Sequence, residues 1–240
     1  DTEWVAYLDG DDYWVPEKLA RQLALVDAAD PKIDLVYSDL MQFSDKPENA
    51  IPVKCRSLNT AGEELLRLYF LYEAPIMPST VLMRTAAARA IDYFNPDIRL
   101  FEETDFFMRL AGSGYRFAHQ PEFLIYKRVR AGSLSSQIAN WEEAMLRETR
   151  HSVRRYPQLA PFAARRDGYR LAKVADAYFS AGEDAKGWRH LRGAIIRNPL
   201  NPRAYFYGLT ALVPRGWRGG LRDLIRRWRA GGGRKASAQT

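Results

Sequence analysis

Cysteine is almost absent from this chain of 240 residues. Its one thiol, Cys55, excludes an internal disulfide framework and, with no second thiol nearby, offers little for zinc; a reducing compartment is the natural setting. Cys55 reads as a small, semi-buried hydrophobe rather than a nucleophile. Histidine is nearly as scarce: His119, His151 and His190 fall in three segments without ligand spacing, which argues against a histidine metal cluster. No run approaches the ~18 consecutive apolar residues needed to span a bilayer, and no signal peptide opens the chain. A cytoplasmic protein, soluble or peripheral on the inner face of the cytoplasmic membrane, is expected. An initiator Met is missing as well. Asp1-Thr2-Glu3 runs straight into Trp4-Val5-Ala6-Tyr7-Leu8, an abrupt start for a fold, so further upstream sequence is expected.

Acidic residues are scarce at the other end. From Arg197 to Thr240 there are ten Lys or Arg against one acid, Asp223, a local balance of +9 within a formal total of +7; the first 196 residues stand at −2. The basicity belongs to the tail, and an anionic surface is its natural partner. Bilayer phospholipid is favoured over nucleic acid, because the arginines cluster in one terminal segment and no nucleic-acid fold signature accompanies them. The remainder, 47% hydrophobic and 27% charged overall, has the composition of an ordinary folded domain with a proper core.

Trp4 to Leu8 reads as a buried strand that delivers Asp9-Gly10-Asp11-Asp12 at its carboxyl end, and Pro16-Glu17 opens a helix to about Ala29. Ile33–Tyr37 reads as a second strand. Thr60 and Glu63 have capping-box spacing for a helix through Tyr69. Ser79–Met83 reads as a strand, Glu103–Ala111 as a helix ended by Gly112 to Gly114, and Phe123–Lys127 as a short strand. From Trp141 the period is helical: Tyr169–Ala181 and Ala185–Ile196 form one tetratricopeptide-like hairpin, too little for a repeat array, followed by Pro202–Val213. Leu221, Leu224, Ile225 and Trp228 among arginines form a short basic amphipathic helix, and Gly231–Thr240 has the composition of a disordered tail.

Three carboxylates within four residues repel one another unless a cation or several donors neutralise them. Mg²⁺ and Mn²⁺ bind through one or two carboxylates plus substrate phosphates, and Gly10 permits close backbone approach to a ligand. Taken alone, an Asp-x-Asp is as readily a solvated loop with Asp12 capping the next helix. The position between an apolar strand and a helix favours a ligand site, since open α/β sheets bind ligands at the carboxyl ends of strands. A calcium helix-loop-helix is excluded, because its twelfth position is Ala20 rather than Glu.

The segment Trp4–Gln22, WVAYLDGDDYWVPEKLARQ, resembles the Asp-x-Asp segment of family 2 glycosyltransferases, which have the GT-A fold. Strand, acidic turn, following aromatic, Pro-Glu-Lys-Leu helix start and Gln all coincide. The resemblance implies that Asp9 and Asp11 lie at the nucleotide-sugar and at a Mn²⁺ or Mg²⁺ ion, with Asp11 the direct ligand, and that Asp12 orients the loop or the donor sugar. Phe101–Leu110, FEETDFFMRL, is similar to the family's Glu-Asp-x-Asp-x-x-x-Arg-Leu stretch, whose second acid is commonly the general base. Glu103 stands there where Asp is more usual, with Glu102 beside it on the acceptor side. Without the resemblance these acids are simply a helix's first turn, where the dipole favours them. Tyr126–Ser135 is similar to the family's Tyr-Arg-x-His-x-x-Ser-x-Ser stretch, with Arg130 in place of His. A guanidinium cannot ligate a cation but binds phosphate oxygens, which points Arg130 at the leaving diphosphate or leaves it a surface residue. Ser79 matches a loop that the family places near the acceptor.

The expected architecture is therefore α/β: the C-terminal half of a GT-A, Rossmann-like domain over residues 1–138, a helical accessory region over 139–214, and a basic tail over 215–240. The expected activity is inverting, metal-dependent transfer from a nucleotide-sugar, UDP-linked, to a hydroxyl acceptor of a cell-surface glycan or lipid-linked intermediate. The nucleotide-holding half is expected upstream, and the fragment alone need not turn over. The rival is a non-catalytic carbohydrate- or partner-binding scaffold, favoured by Glu at 103 and Arg at 130 and opposed by retention of all three acids at 9, 11 and 12.

Overall fold

A period of two along the central strand sets the layers of the fold. Leu35 and Tyr37 join one apolar core and Val36 joins another, on the opposite side of the sheet. The computed structural model describes residues 2–72, 76–129, 138–214, 216, 217 and 220. They divide into two compact units, residues 1–137 with 143–163, and residues 138–142 with 164–240.

The first unit runs β1 (Trp4–Ala6), β2 (Tyr13–Trp14), α1 (Lys18–Asp27), β3 (Leu35–Phe43), β4 (Ile51–Val53), α2 (Gly62–Tyr72), β5 (Val81–Arg84), α3 (Thr85–Ala90), α4 (Glu102–Gly112) and β6 (Phe117–Arg128). The fold is α/β with a mixed sheet in the order β1-β5-β3-β6-β2, and β4 adds to β3. Only β3 and β6 run parallel; the other pairs are antiparallel. Leu65, Leu66, Tyr69 and Phe70 of α2 with Phe106, Phe107 and Leu110 of α4 cover the face carrying Leu35, Tyr37, Val81, Met83 and Phe117. Val26 of α1, with Leu23 beside it, covers Val36 and Leu82 on the other.

Both central strands exceed their expected lengths. β3 continues past Tyr37 to Phe43, and β6 begins at Phe117 rather than Phe123. Polar residues hid these extensions. Ser38 and Asp39 are buried in mid-strand, where the Asp39 carboxylate accepts from Cys55 N–H and bonds the His119 ring, both at 2.8 Å. The register shifts around Asp39, opposite Pro121 and Glu122 of β6, and such a bulge accommodates a strand proline. Two local expectations are corrected. The Thr60 hydroxyl donates to Glu64 at 2.8 Å rather than pairing with Glu63, in a helix that starts at Gly62. Residues Pro78–Thr80 form a 3-10 turn ahead of β5 instead of its first residues.

Helix α5 (Ile138–Arg155) passes from the second unit to the first. The second unit contains α6 (Ala163–Ser180), α7 (Asp184–Arg197) and α8 (Pro202–Ala211). Helices α6 and α7 form the hairpin expected from the sequence, turning at Gly182. Tyr178 stacks on His190 at 5.0 Å and Phe179 meets Trp188 edge-on at 5.3 Å. Gly168 lets the helices close, since a Cβ there would lie 2.5 Å from Asn198 Cβ and 2.8 Å from the Ala194 oxygen. Among the described residues no helix is long and apolar enough to cross a membrane. The amphipathic helix expected over Leu221–Trp228 lies outside the described residues.

Within α4, Arg109 Nε donates to Asp105 at 2.7 Å, and its other nitrogens donate to the carbonyls of Ile91 and Tyr93. That turn contains two left-handed residues, Asp92 and Tyr93, at φ 58° and 52°. His151 approaches the second Asp105 oxygen at 3.3 Å. Arg109→Ala would leave a buried carboxylate and two carbonyls without their donor, and is expected to cost about 3–5 kcal/mol in urea denaturation. A loss below about 1 kcal/mol would mean that the turn holds itself.

Candidate functional site

β1 ends beside α4. Tyr7 meets Phe94 edge-on at 5.6 Å and Phe106 at 6.2 Å, and Phe94 and Phe106 stack at 4.2 Å. This contact delivers the acidic turn to the N-terminal end of α4. The turn closes when Asp12 N–H donates to the Asp9 carbonyl at 3.0 Å. Asp12 is buried: one carboxylate oxygen accepts from the Ser79 hydroxyl at 2.8 Å and the other from Arg128 N–H at 3.1 Å. The Ser79 oxygen also accepts from Asp9 N–H at 3.1 Å. Lys127 Nζ stands 3.6 Å from an Asp9 oxygen and 3.8 Å from Asp12. Asp9 and Asp11 remain half-buried at the surface.

Ser79, expected on the acceptor side, is fully buried behind the turn, where its hydroxyl bonds both acids. The Ser79 turn is itself anchored from β2 and α1. Trp14 Nε1 donates to the Ser79 carbonyl at 2.9 Å, Gln22 to the Thr80 carbonyl at 2.9 Å, and Lys18 to Gln22 Oε1 at 2.8 Å and the Val81 carbonyl at 3.3 Å. Lys18 lies 4.4 Å above the Trp14 ring. Burial pushes the Lys18 ammonium down to about 7. The sequence reading gave these three residues no role, although Lys18 and Gln22 are four apart, the spacing at which two helical side chains meet.

Glu103 occupies the first turn of α4, after Phe101 in a left-handed conformation at φ 66°. Burial, and after it the charge of Glu102, raises its carboxyl to about 6 from the ordinary 4.5; its own backbone N–H and Lys127 pull it down, and Asp9 pushes it up. Glu103 thus shares an electrostatic environment with the acidic turn, and Lys127 acts on both. A carboxylate at about 6 is still largely ionised at neutral pH, yet a stronger proton acceptor than an ordinary one.

The acids can be tested against a divalent cation. Both Asp12 oxygens are engaged within the protein, and Lys127 balances Asp9. Among the described residues no group of three or more His, Cys, Asp or Glu could hold a metal ion. The donor set therefore does not fit a closed protein cage. It fits an open site with one or two carboxylates whose shell is completed by phosphate and water, as hard Mg²⁺ or Mn²⁺ accepts. Arg130 and the residues up to Ser135 lie outside the described residues.

Other ionisable groups serve the frame. Burial, reinforced by Asp39, pushes the Cys55 thiol up to about 12, which makes it an inert hydrophobe. His119 is stacked on Tyr37 at 5.1 Å, and His190 lies 2.8 Å from Glu142 in the second unit.

No protein-family model and no curated protein matches the sequence. Among solved structures, the chain is similar to TarS residues 1–349 from S. aureus in complex with UDP-GlcNAc, with 18% identity and a TM-score of 0.47, covering 91% of this chain and 62% of that one. It is also similar to the mannosyltransferase PcManGT from Pyrobaculum calidifontis in complex with GDP-Man and Mn²⁺, with 16% identity and a TM-score of 0.48, covering 93% of this chain and 60% of that one. The chain spans less than two thirds of the length of either structure.

Replacing Glu103 by Gln removes a charge that burial disfavours. Because the folded-state value of about 6 lies above the ordinary 4.5, the native chain holds the proton more tightly than the unfolded one, and stability is lost as pH rises through that interval. Glu103→Gln is expected to exceed the wild type by about 1–2 kcal/mol at neutral pH, the gap closing below about pH 4.5. Urea denaturation at the two pH values reads this, and a pH-independent gap would contradict it.

Proposed function

We propose that the first unit forms the metal- and acceptor-side of a nucleotide-sugar glycosyltransferase site. The observation that carries this reading is the raised Glu103 carboxyl, held in the field of Asp9 and Lys127 beside the acidic turn. The donor is a nucleotide-sugar, UDP-linked, and the acceptor a hydroxyl of a cell-surface glycan or lipid-linked intermediate. Residues 1–138 form the catalytic region, 139–214 a helical accessory region and 215–240 a basic tail toward the anionic inner face of the cytoplasmic membrane.

Glu103 takes the proton of the acceptor hydroxyl as that oxygen attacks the anomeric carbon from the face opposite the phosphate, the bond to the diphosphate oxygen breaks, and configuration inverts. Asp9 and Asp11 would hold Mn²⁺ or Mg²⁺, which when bound supplies positive charge to the departing diphosphate. Asp12 and Ser79 keep the two acids in place. Lys127 offers the phosphates a further cation from β6, and Arg130, following it in the chain, is assigned the same task.

A second reading, a binding scaffold without turnover, draws on Lys127, which already supplies Asp9 and Asp12 with a counter-charge. Titration of a UDP-sugar with and without Mn²⁺ separates the two. On the catalytic reading, the protein in its full natural length binds the donor in a Mn²⁺-dependent manner, and Asp11→Asn weakens that binding. Glu103→Gln should bind the donor normally while transfer falls by roughly 10²–10⁴-fold. Undiminished transfer by Glu103→Gln rejects its role, and donor binding indifferent to Mn²⁺ favours the scaffold.

A further inference from the structure

Helix α8 is apolar on two sides. Ala204, Gly208 and Ala211, spaced i, i+4, i+7, are buried, with Gly208 close to Leu191 and Trp188 of α7. Tyr205, Leu209 and Leu212, at the same spacing one residue on, are exposed. A surface helix ordinarily turns polar residues to solvent, and α8 has one charged residue, Arg203. Among the described residues, the five most exposed large apolar side chains all fall between positions 196 and 217: Ile196, Leu200, Leu209, Leu212 and Trp217, 66% to 89% accessible. One exposed leucine needs no explanation, but this concentration does.

Charge selects the occupant. From Ala185 to Arg222 the sequence has eight Lys or Arg and no Asp or Glu. Arg189, Arg192, Arg197 and Arg203 are exposed. We propose that the outward face of α8, with the exposed apolar residues on either side of it, docks on an anionic phospholipid bilayer. Leucine, isoleucine and tryptophan enter the boundary between headgroups and acyl chains, and the arginines meet lipid phosphates with no nearby acid in the sequence to repel them. Nucleic acid would use the arginines and leave the aliphatic side chains exposed. This inference places membrane contact on the folded second unit, ahead of the basic tail, and does not rest on the glycosyl-transfer reading.

Sedimentation with vesicles tests it. The 240-residue chain should bind vesicles of phosphatidylglycerol and phosphatidylcholine, and bind phosphatidylcholine alone far less. Leu209→Glu with Leu212→Glu should lower the partition coefficient on the anionic vesicles by at least about tenfold with the helical circular dichroism unchanged. If that pair unfolds the chain, Leu209→Ser with Leu212→Ser gives the same readout. A chain ending at Gly220 should keep binding that depends on Leu209 and Leu212. Undiminished binding by the folded double variant, or no binding of the wild type to anionic vesicles, overturns the proposal. So does light scattering that shows a wild-type dimer and a monomeric double variant without vesicle binding, since the face would then belong to a second copy.

Discussion

The Ser79 hydroxyl donates to the buried Asp12 carboxylate and its oxygen accepts the Asp9 N–H, so one side chain fixes both ends of the acidic turn. It can do so because the Ser79–Val81 backbone is held from β2 by Trp14 and from α1 by Lys18 and Gln22. These bonds lie in a protein interior, where a hydrogen bond is electrostatically stronger than in water and an unmade one costs more. The turn that carries Asp9 and Asp11 is thus set by the side chains packed behind it. Lys18 shows what that positioning demands. A buried ammonium stabilises the fold less than a packed apolar side chain would, but it orients two acceptors at once, and orientation is what a site of this kind requires.

Lys127 gives the cluster its electrical logic. Without a cation, Asp9 and Asp12 repel each other, and Asp9 also raises the cost of ionising Glu103. The ammonium between strand and turn relieves this at 3.6–3.8 Å. A divalent ion at Asp9 and Asp11 would repel Lys127, and a diphosphate arriving with that ion would attract it. On the proposed glycosyl-transfer reading, such an arrangement would favour cation and phosphate binding together over either one alone.

The acidic turn, the helix after it and the helix carrying Glu103 were legible from apolar period and stop signals, whereas the strand before the turn, expected buried over Trp4–Leu8, ends at Ala6 and is half-buried. The longer course of β3 and β6 was not. Ser38-Asp39 and Gln120-Pro121-Glu122 interrupt the apolar pattern, and the sheet continues through them with a bulge at Asp39, whose carboxylate is bonded by Cys55 N–H and the His119 ring. Ser79 was legible as a residue of interest but not in its direction, since only the fold reveals that it lies beneath the acids. Lys18 and Lys127 lie within the segments that carry the resemblance, but their roles were not legible: a lysine in a sequence reads as surface until its surroundings are known. Asp105 and Arg109 have the spacing of an ordinary helical pair, and their bracing of the Ile91–Tyr93 turn could not be read because the acceptors are backbone carbonyls.

That bracing bears on Glu103. Asp92, Tyr93 and Phe101 all adopt left-handed backbone, which costs a non-glycine residue on the order of 1 kcal/mol or more each. The three flank the segment between α3 and α4, and the Arg109 clamp at Ile91 and Tyr93 offsets part of the strain from inside α4. The strain at Phe101 has a local purpose. By turning the chain sharply into α4 it brings Glu102 and Glu103 into the first turn, where free N–H groups favour carboxylates. The helix end and Lys127 therefore lower the cost of ionising Glu103 while burial, then Glu102 and Asp9, raise it, and the balance leaves the carboxyl at about 6.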